Sequence, residues 1–334
     1  MTASFYDLAA LPLTEIEDLL RLSERLRAHP EPRALEGKVL SLLFMSPSLR
    51  TLSSFQSAMI RLGGGCFVVS PQMSIHGLET RSGIVMDGVA AEHIKDAVPV
   101  IASYGDALAI RMFSDRLDLQ SDLADRTYLE LAGLTRVPTI NMESAAFHPC
   151  QSLADWHTLD QLAVPRVGGK IVISWAFHPR PLPLSGVTST VQMAAFRGMD
   201  VTILRPEPFA LPEPVLQRAR ELAAASGGSV RETADRRDAM EGAHVVYAKE
   251  WGSTLMYSDR VAEGKARELA SDWCLDESWF ENARQDCRLM HAMPVRRDVA
   301  VMERLLEGPR SAVLQGAENR LWTQMAILYR VLKR

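Results

Sequence analysis

Short apolar runs recur along the chain, each bounded by glycine, proline or polar residues, with amphipathic stretches filling the gaps. Lys38-Val39-Leu40-Ser41-Leu42-Leu43-Phe44, set between Gly37 and Pro47, predicts a buried strand. Residues 66–70, 107–110 and 137–142 predict three more, with Arg111 at the carboxyl end of the third strand. The second half repeats the pattern at 170–175, 200–204, 244–248 and 287–290. Between these runs the apolar spacing turns helical. Leu52, Phe55, Met59 and Leu62 fall on one face of a helix that Gly63-Gly64-Gly65 ends. Residues 187–197 and 213–225 predict others, and a last helix covers about 318–332. At the N-terminus Thr14 and Glu17 fit a capping box, ahead of a stripe of Ile16, Leu19, Leu20 and Leu26 that His29-Pro30 stops. Strands alternating with helices predict the α/β class, with two doubly wound parallel-sheet domains meeting near His148.

Composition narrows the class without changing it. The chain has 334 residues, enough for about two domains, because single cores stop growing near ~250–300 residues. Apolar residues make up 47% and charged residues 23%, which excludes a disordered tail, a collagen or a disulfide miniprotein. A net charge of −4 gives no general attraction for nucleic acid or anionic lipid, so any bound anion needs a local cluster of charge. No apolar run approaches a membrane span, and the first ten residues lack the form of a signal peptide, so a cytoplasmic protein is expected. Cys66, Cys150, Cys274 and Cys287 show no CxxC spacing and read as reduced thiols.

Ligands of parallel α/β sheets bind at the carboxyl ends of strands, so the residues just after each run carry the chemistry. Ser46-Pro47-Ser48-Leu49-Arg50-Thr51 follows the first strand. Ser48 suits an N-cap, which places Leu49, Arg50 and Thr51 in the first helical turn, where free N–H groups and a guanidinium can face one anion. The plain alternative is a capped helix with a solvated arginine. Arg111 ends its strand at the same edge. His148-Pro149-Cys150-Gln151 follows the fourth strand, with an imidazole and an amide three residues apart on one helix face; a satisfied buried histidine is the alternative. His291-Ala292-Met293-Pro294-Val295-Arg296-Arg297 offers backbone carbonyls at a turn and an arginine pair for a carboxylate. Lys249 takes a similar post-strand position, and Arg320 opens or precedes the last helix.

In this order the motifs Ser-x-Arg-Thr, Arg, His-Pro-x-Gln and His-x-x-Pro-x-x-Arg resemble the aspartate/ornithine carbamoyltransferase family over nearly the whole chain. The segments 137–143, 246–252 and 317–321 resemble its N-acetylornithine and N-succinylornithine branch. The resemblance implies a carbamoyl-phosphate-binding domain at 1–147, an amino-acid-binding domain at 148–310 and a C-terminal helix at 311–334 that packs back on the first domain. It implies a homotrimer with shared active sites, and a trefoil-knotted C-terminal domain with residues 178–183 as the knot's proline-rich loop. By the same resemblance, catalysis is expected to fall to Arg50, Thr51, Arg111, His148 and Gln151. Carbamoyl phosphate is held by these together with Ser48, Leu49, Ala292, Met293 and Arg320. Glu143, Lys249, Arg296, Ala91 and His76 match positions that in the family meet the amino-acid substrate. No metal, organic cofactor, nucleic acid or membrane is implied.

Several positions depart from the family pattern. Leu52 and Gln56 replace an arginine and a glutamate, Ala292 replaces a cysteine, and His76 stands near a tryptophan lent by the neighbouring subunit. Ala91 replaces a glutamate that limits the acyl pocket, and Ala300 a lysine that can be carboxylated. Loss of negative charge at both places favours an acidic acyl group. A paralogue carbamoylating another amine and a non-catalytic carbamoyl-phosphate binder are the rival readings. A nicotinamide oxidoreductase is excluded for want of G-x-G-x-x-G, and nucleophile elbows and Walker loops are absent from the sequence.

Overall fold

A computed structural model describes residues 4–71, 77–81 and 83–333. The chain divides into two compact units: Met1–Asp115 with Gln120–Cys150 and Leu321–Arg334, and Arg116–Leu119 with Gln151–Arg320. In the first unit the elements run α1 (Leu13–Ala28), β1 (Val39–Phe44), α2 (Leu49–Arg61), β2 (Gly65–Val69), β3 (Leu78–Glu79), β4 (Glu92–His93), α3 (Ile94–Ser103) and β5 (Ala107–Arg111). Next come α4 (Leu119–Leu123), whose first residue belongs to the second unit, α5 (Arg126–Gly133), β6 (Thr139–Glu143) and α6 (Pro149–Gln161), which belongs to the second unit from Gln151 onward. The second unit adds β7 (Lys170–Trp175), α7 (Ser185–Phe196), β8 (Asp200–Leu204), α8 (Glu213–Ser226), β9 (Ser229–Thr233), α9 (Arg236–Met240), β10 (Val245–Lys249), α10 (Arg260–Leu269), β11 (Arg288–His291) and α11 (Glu303–Glu307). Helix α12 (Val313–Leu332) closes the chain.

The first sheet has the order β2-β1-β5-β6, and every pairing is parallel. From β1 the chain steps to β2 on one side, then returns to place β5 on the other. Crossovers between parallel strands are right-handed, so the connecting helices change face at that reversal, which falls between β1 and β5. The second sheet, β11-β10-β7-β8-β9, is likewise parallel and reverses between β7 and β10. Both sheets are therefore doubly wound, as the alternation predicts. Their central strands are buried along nearly their whole length, which explains the continuous apolar runs. The four cysteines are free, and burial pushes the Cys287 thiol up to about 12.

Two expectations need correction. Thr14 does not cap α1: Pro12 fixes the entry, its carbonyl accepts from Glu15 N and Ile16 N, and Thr14 lies inside the first turn. The last helix begins at Val313, so Arg320 lies in its interior. Gly316, an unfavourable helix residue, falls in its first turn and masks that early start.

Candidate active site

The reversal of the first sheet places the loop after β1 beside the end of β5. Ser48 caps α2, accepting from Thr51 N at 3.4 Å and lying 3.1 Å from Thr51 Oγ1. Leu49, 82% exposed, opens the helix and turns its side chain to solvent. Arg50 follows; its Nε is buried with no hydrogen-bond partner among the described residues, and burial together with Arg111 lowers its pKa. A helix N-terminus, a partly desolvated guanidinium and a second arginine nearby form a cradle for a multiply charged anion.

Arg111 is the last residue of β5 and is held on several sides. Its NH1 donates to the carbonyls of Ser46 at 2.9 Å and Pro47 at 2.8 Å. Its NH2 donates to Glu143 Oε2 at 2.8 Å, and its guanidinium lies 4.3 Å from the Phe113 ring centroid. Glu143 ends β6, and the same carboxylate oxygen lies 3.5 Å from His148 Nε2. Strand ends β5 and β6 thus bring Arg111, Glu143 and His148 into one buried cluster. The loop leading to His148 is tied down by Asp125, which accepts from Ser144 Oγ at 2.5 Å, Tyr6 OH at 2.9 Å and Ala145 N at 3.2 Å. Sequence reading missed Asp125, whose partners lie 19 to 119 residues away.

A cavity of about 610 Å³ also lies in this unit, and Ser46 lines it. Its lining lacks Ser48, Arg50, Arg111 and His148, and the carboxylates Asp115, Asp122, Asp125 and Glu130 would repel an anion. Ala91 is exposed just before β4, and His76 lies outside the described residues.

In the second unit Gln151, on the first turn of α6, donates through Nε2 to Asp155 Oδ1 at 2.9 Å. Tyr247 OH, from β10, donates to Asp155 Oδ2 at 2.8 Å. Burial pushes the Asp155 carboxyl up to about 7, against the pull of Gln151, Tyr247 and the charge of Arg320. Arg320 is buried in α12 next to Asn319, whose Nδ2 donates to Thr158 and Gln161.

Lys249 ends β10 at the reversal of the second sheet, with Nζ 3.5 Å from Glu250 Oε2. His291 ends β11, and its Nε2 lies 3.3 Å from the same oxygen. Burial opposes the charge on Glu250, but His291 and Lys249 outweigh it and hold the carboxyl at about 2. Ala292 and Met293 follow in a turn where Met293 N donates to His291 O at 3.1 Å. The expected arginine pair is not a pair. Arg297 NH1 is 2.7 Å from both Glu303 and Glu307, so only Arg296, exposed on the turn, is left for a carboxylate. Ala300 is fully buried, and its amide donates to Arg296 O.

Fold and site define an α/β protein whose first sheet gathers a capped helix N-terminus, two arginines and a histidine at its strand ends, a set of donors suited to an anion and to a carbonyl, as a phosphate-releasing group transferase requires. The chain belongs to the aspartate/ornithine carbamoyltransferase family and is a carbamoyltransferase: the carbamoyl-P binding domain matches residues 3–161 and the Asp/Orn binding domain residues 185–331. It is 33% identical over 317 residues to the N-acetylornithine carbamoyltransferase of Xanthomonas campestris pv. campestris, covering 94% of this chain and 93% of that one. It is 30% identical over 302 residues to the N-succinylornithine carbamoyltransferase of Bacteroides thetaiotaomicron, covering 89% and 88%. A solved N-acetyl-L-ornithine transcarbamylase, a glutamate-to-alanine mutant complexed with carbamyl phosphate and N-succinyl-L-norvaline, superposes with a TM-score of 0.93. That structure is 32% identical and covers 98% of this chain and 99% of its own.

Proposed function

We propose that the protein transfers the carbamoyl group of carbamoyl phosphate to the side-chain amine of an N-acylated ornithine, releasing phosphate and a citrulline derivative. The observation that carries this reading is the anion cradle where the first sheet reverses: the Ser48-capped end of α2, with Arg50, beside the anchored Arg111. Ser48, Leu49, Arg50, Thr51 and Arg111 hold the phosphate. The uncharged amine attacks the carbonyl carbon, and the oxyanion that forms takes donors from Thr51, Arg111 and His148. It then collapses, the C–O bond to phosphate breaks, phosphate leaves with that electron pair, and the proton lost by the attacking nitrogen goes to the departing phosphate. Preorganised donors of this kind are worth about 2.7–4 kcal/mol each at an oxyanion site. Gln151, the carbonyls at Ala292 and Met293, and Arg320 serve the carbamoyl end. Glu143, Lys249, Arg296, Ala91 and His76 serve the amine. Glu143 has a second task in this reading, because its bond to Arg111 fixes one guanidinium edge.

The proposed division of labour assigns residues 1–147 to carbamoyl phosphate and 148–310 to the amino acid, with 311–334 returning to the first domain. The working form is a cytoplasmic homotrimer. Exposed Ile84, Val85, Met86 and Val89, clustered within six residues, support a surface covered by a second copy. The proline-rich loop 178–183, held where Gly252 N donates to Leu182 O and Arg116 NH1 to Pro181 O, is proposed as part of a trefoil passage.

Ala91 and Ala300 favour the succinyl substrate over the acetyl one. One relative solved with a succinyl ligand likewise has a glutamate replaced by alanine. Phosphate release and ureido product are measured with carbamoyl phosphate and, separately, ornithine, N-acetylornithine, N-succinylornithine and aspartate. Turnover is expected with N-succinylornithine above N-acetylornithine, and Arg50→Ala is expected to abolish it in a folded protein. The reverse preference sinks the Ala91 argument. Heat protection by carbamoyl phosphate without turnover on any amine marks a non-catalytic binder.

A further inference from the structure

Asp155 is a buried carboxylate that the reaction as derived leaves without a task. It is 1% exposed, it lies one helical turn beyond Gln151 on α6, and its two oxygens face two donors. Tyr247 OH occupies one oxygen and Gln151 Nε2 the other. Resting on the carbamoyl-phosphate reading, we propose that Asp155 is a positioning residue: it fixes which end of the Gln151 amide meets the substrate and so makes the site prefer a carbamoyl NH2.

Both Asp155 oxygens accept, Oδ1 from Gln151 Nε2 and Oδ2 from Tyr247 OH, and in its ionised form the carboxylate can only accept. Rotating the Gln151 amide by half a turn would set Oε1 against Oδ1, two acceptors in contact inside the protein. That arrangement is disfavoured where the local dielectric is low. The amide therefore keeps Nε2 on Asp155 and leaves Oε1 as its open acceptor. A carbamoyl NH2 donates to such an oxygen, whereas the opposite rotamer would present NH2 to NH2. Asp155 thus turns a side chain that can donate or accept into one that accepts. Burial raises the Asp155 carboxyl to about 7 against Gln151, Tyr247 and the charge of Arg320, so the orienting effect is expected in full above that pH and weakens below it.

Acetyl phosphate is the discriminating probe, because it differs from carbamoyl phosphate only by a methyl group in place of NH2. Dissociation constants for both are measured on the full-length protein and on Asp155→Asn, Asp155→Ser, Tyr247→Phe and Gln151→Leu, each checked for folding by circular dichroism. The unaltered protein is expected to prefer carbamoyl phosphate. Both Asp155 variants should lose about fivefold or more of that preference, the scale of one hydrogen bond, with acetyl phosphate affinity nearly unchanged. Tyr247→Phe leaves the carboxylate on Gln151 and should retain the preference. Adding Asp155→Asn to Gln151→Leu should change it no further.

Equal weakening of both phosphates, or a preference that survives either Asp155 variant, overturns the assignment. So does a Tyr247→Phe variant that behaves like Asp155→Asn, since the effect would then be loss of packing. No preference in the unaltered protein overturns the carbamoyl-phosphate reading itself, together with the role given to Asp155.

Discussion

Glu250 lies at 1% exposure with His291 Nε2 at 3.3 Å and Lys249 Nζ at 3.5 Å, so one buried carboxylate ties the ends of β10 and β11 together. Its pKa falls from 4.5 to about 2, which means the folded state binds its proton less readily than the unfolded chain. The stability it contributes is complete above its ordinary pKa of 4.5 and disappears as the pH falls through about 2. Glu250→Gln should therefore cost about 3 kcal/mol near neutrality, the lower end of the range for removing one partner of a buried ion pair. The gap between the two proteins should close on acidification. Thermal unfolding from pH 7 to about pH 2 checks this, and a gap constant with pH would show that packing rather than charge is responsible.

Among the elements, α7 approaches β10 so closely that a Cβ on Gly186 would stand 2.7 Å from Lys249 Cε. The obstacle is the outer part of a flexible side chain, so the backbone need not move. Alanine is the better helix former by about 1 kcal/mol. Gly186→Ala should therefore fold with equal or higher stability while displacing Lys249. Steady-state kinetics should then give a rise of about three- to tenfold in KM for the amine, with KM for carbamoyl phosphate unchanged. A variant whose two KM values rise together would remove Lys249 from amine binding.

The central strands of both sheets were readable because burial on both faces makes them continuous apolar runs, and Arg111, His148 and Lys249 stood out by their places at or after strand ends. Strand β9, Ser-Val-Arg-Glu-Thr, escaped because an edge strand half open to solvent has no such run. Asp155 and Glu250 escaped for another reason. Their meaning lies in partners on other elements, Tyr247 on β10 being 92 residues from Asp155 on α6, and no local pattern records such a pairing. Arg297 misled for the converse reason: the carboxylates that occupy it, Glu303 and Glu307, sit on α11, which the apolar pattern did not predict.

For the whole molecule, the proposed trimer makes a prediction that a monomer cannot meet. Rings of identical chains join unlike surfaces, so each proposed site takes Arg50 from one chain and His76 from its neighbour. Arg50→Ala and His76→Ala are each expected to be inactive alone. In a hybrid trimer, a His76→Ala chain supplies Arg50 and an Arg50→Ala neighbour supplies His76, so that pair rebuilds an intact site. Random mixing in equal amounts places this pair at about one site in four, giving about a quarter of normal activity. Co-refolding the two variants and assaying citrulline-type product checks this, with light scattering to register a particle three times the 37.0 kDa chain. Activity that stays at zero in mixed trimers would confine the site to one chain, and a particle of single-chain mass would leave the exposed apolar cluster at 84–89 without its proposed cover.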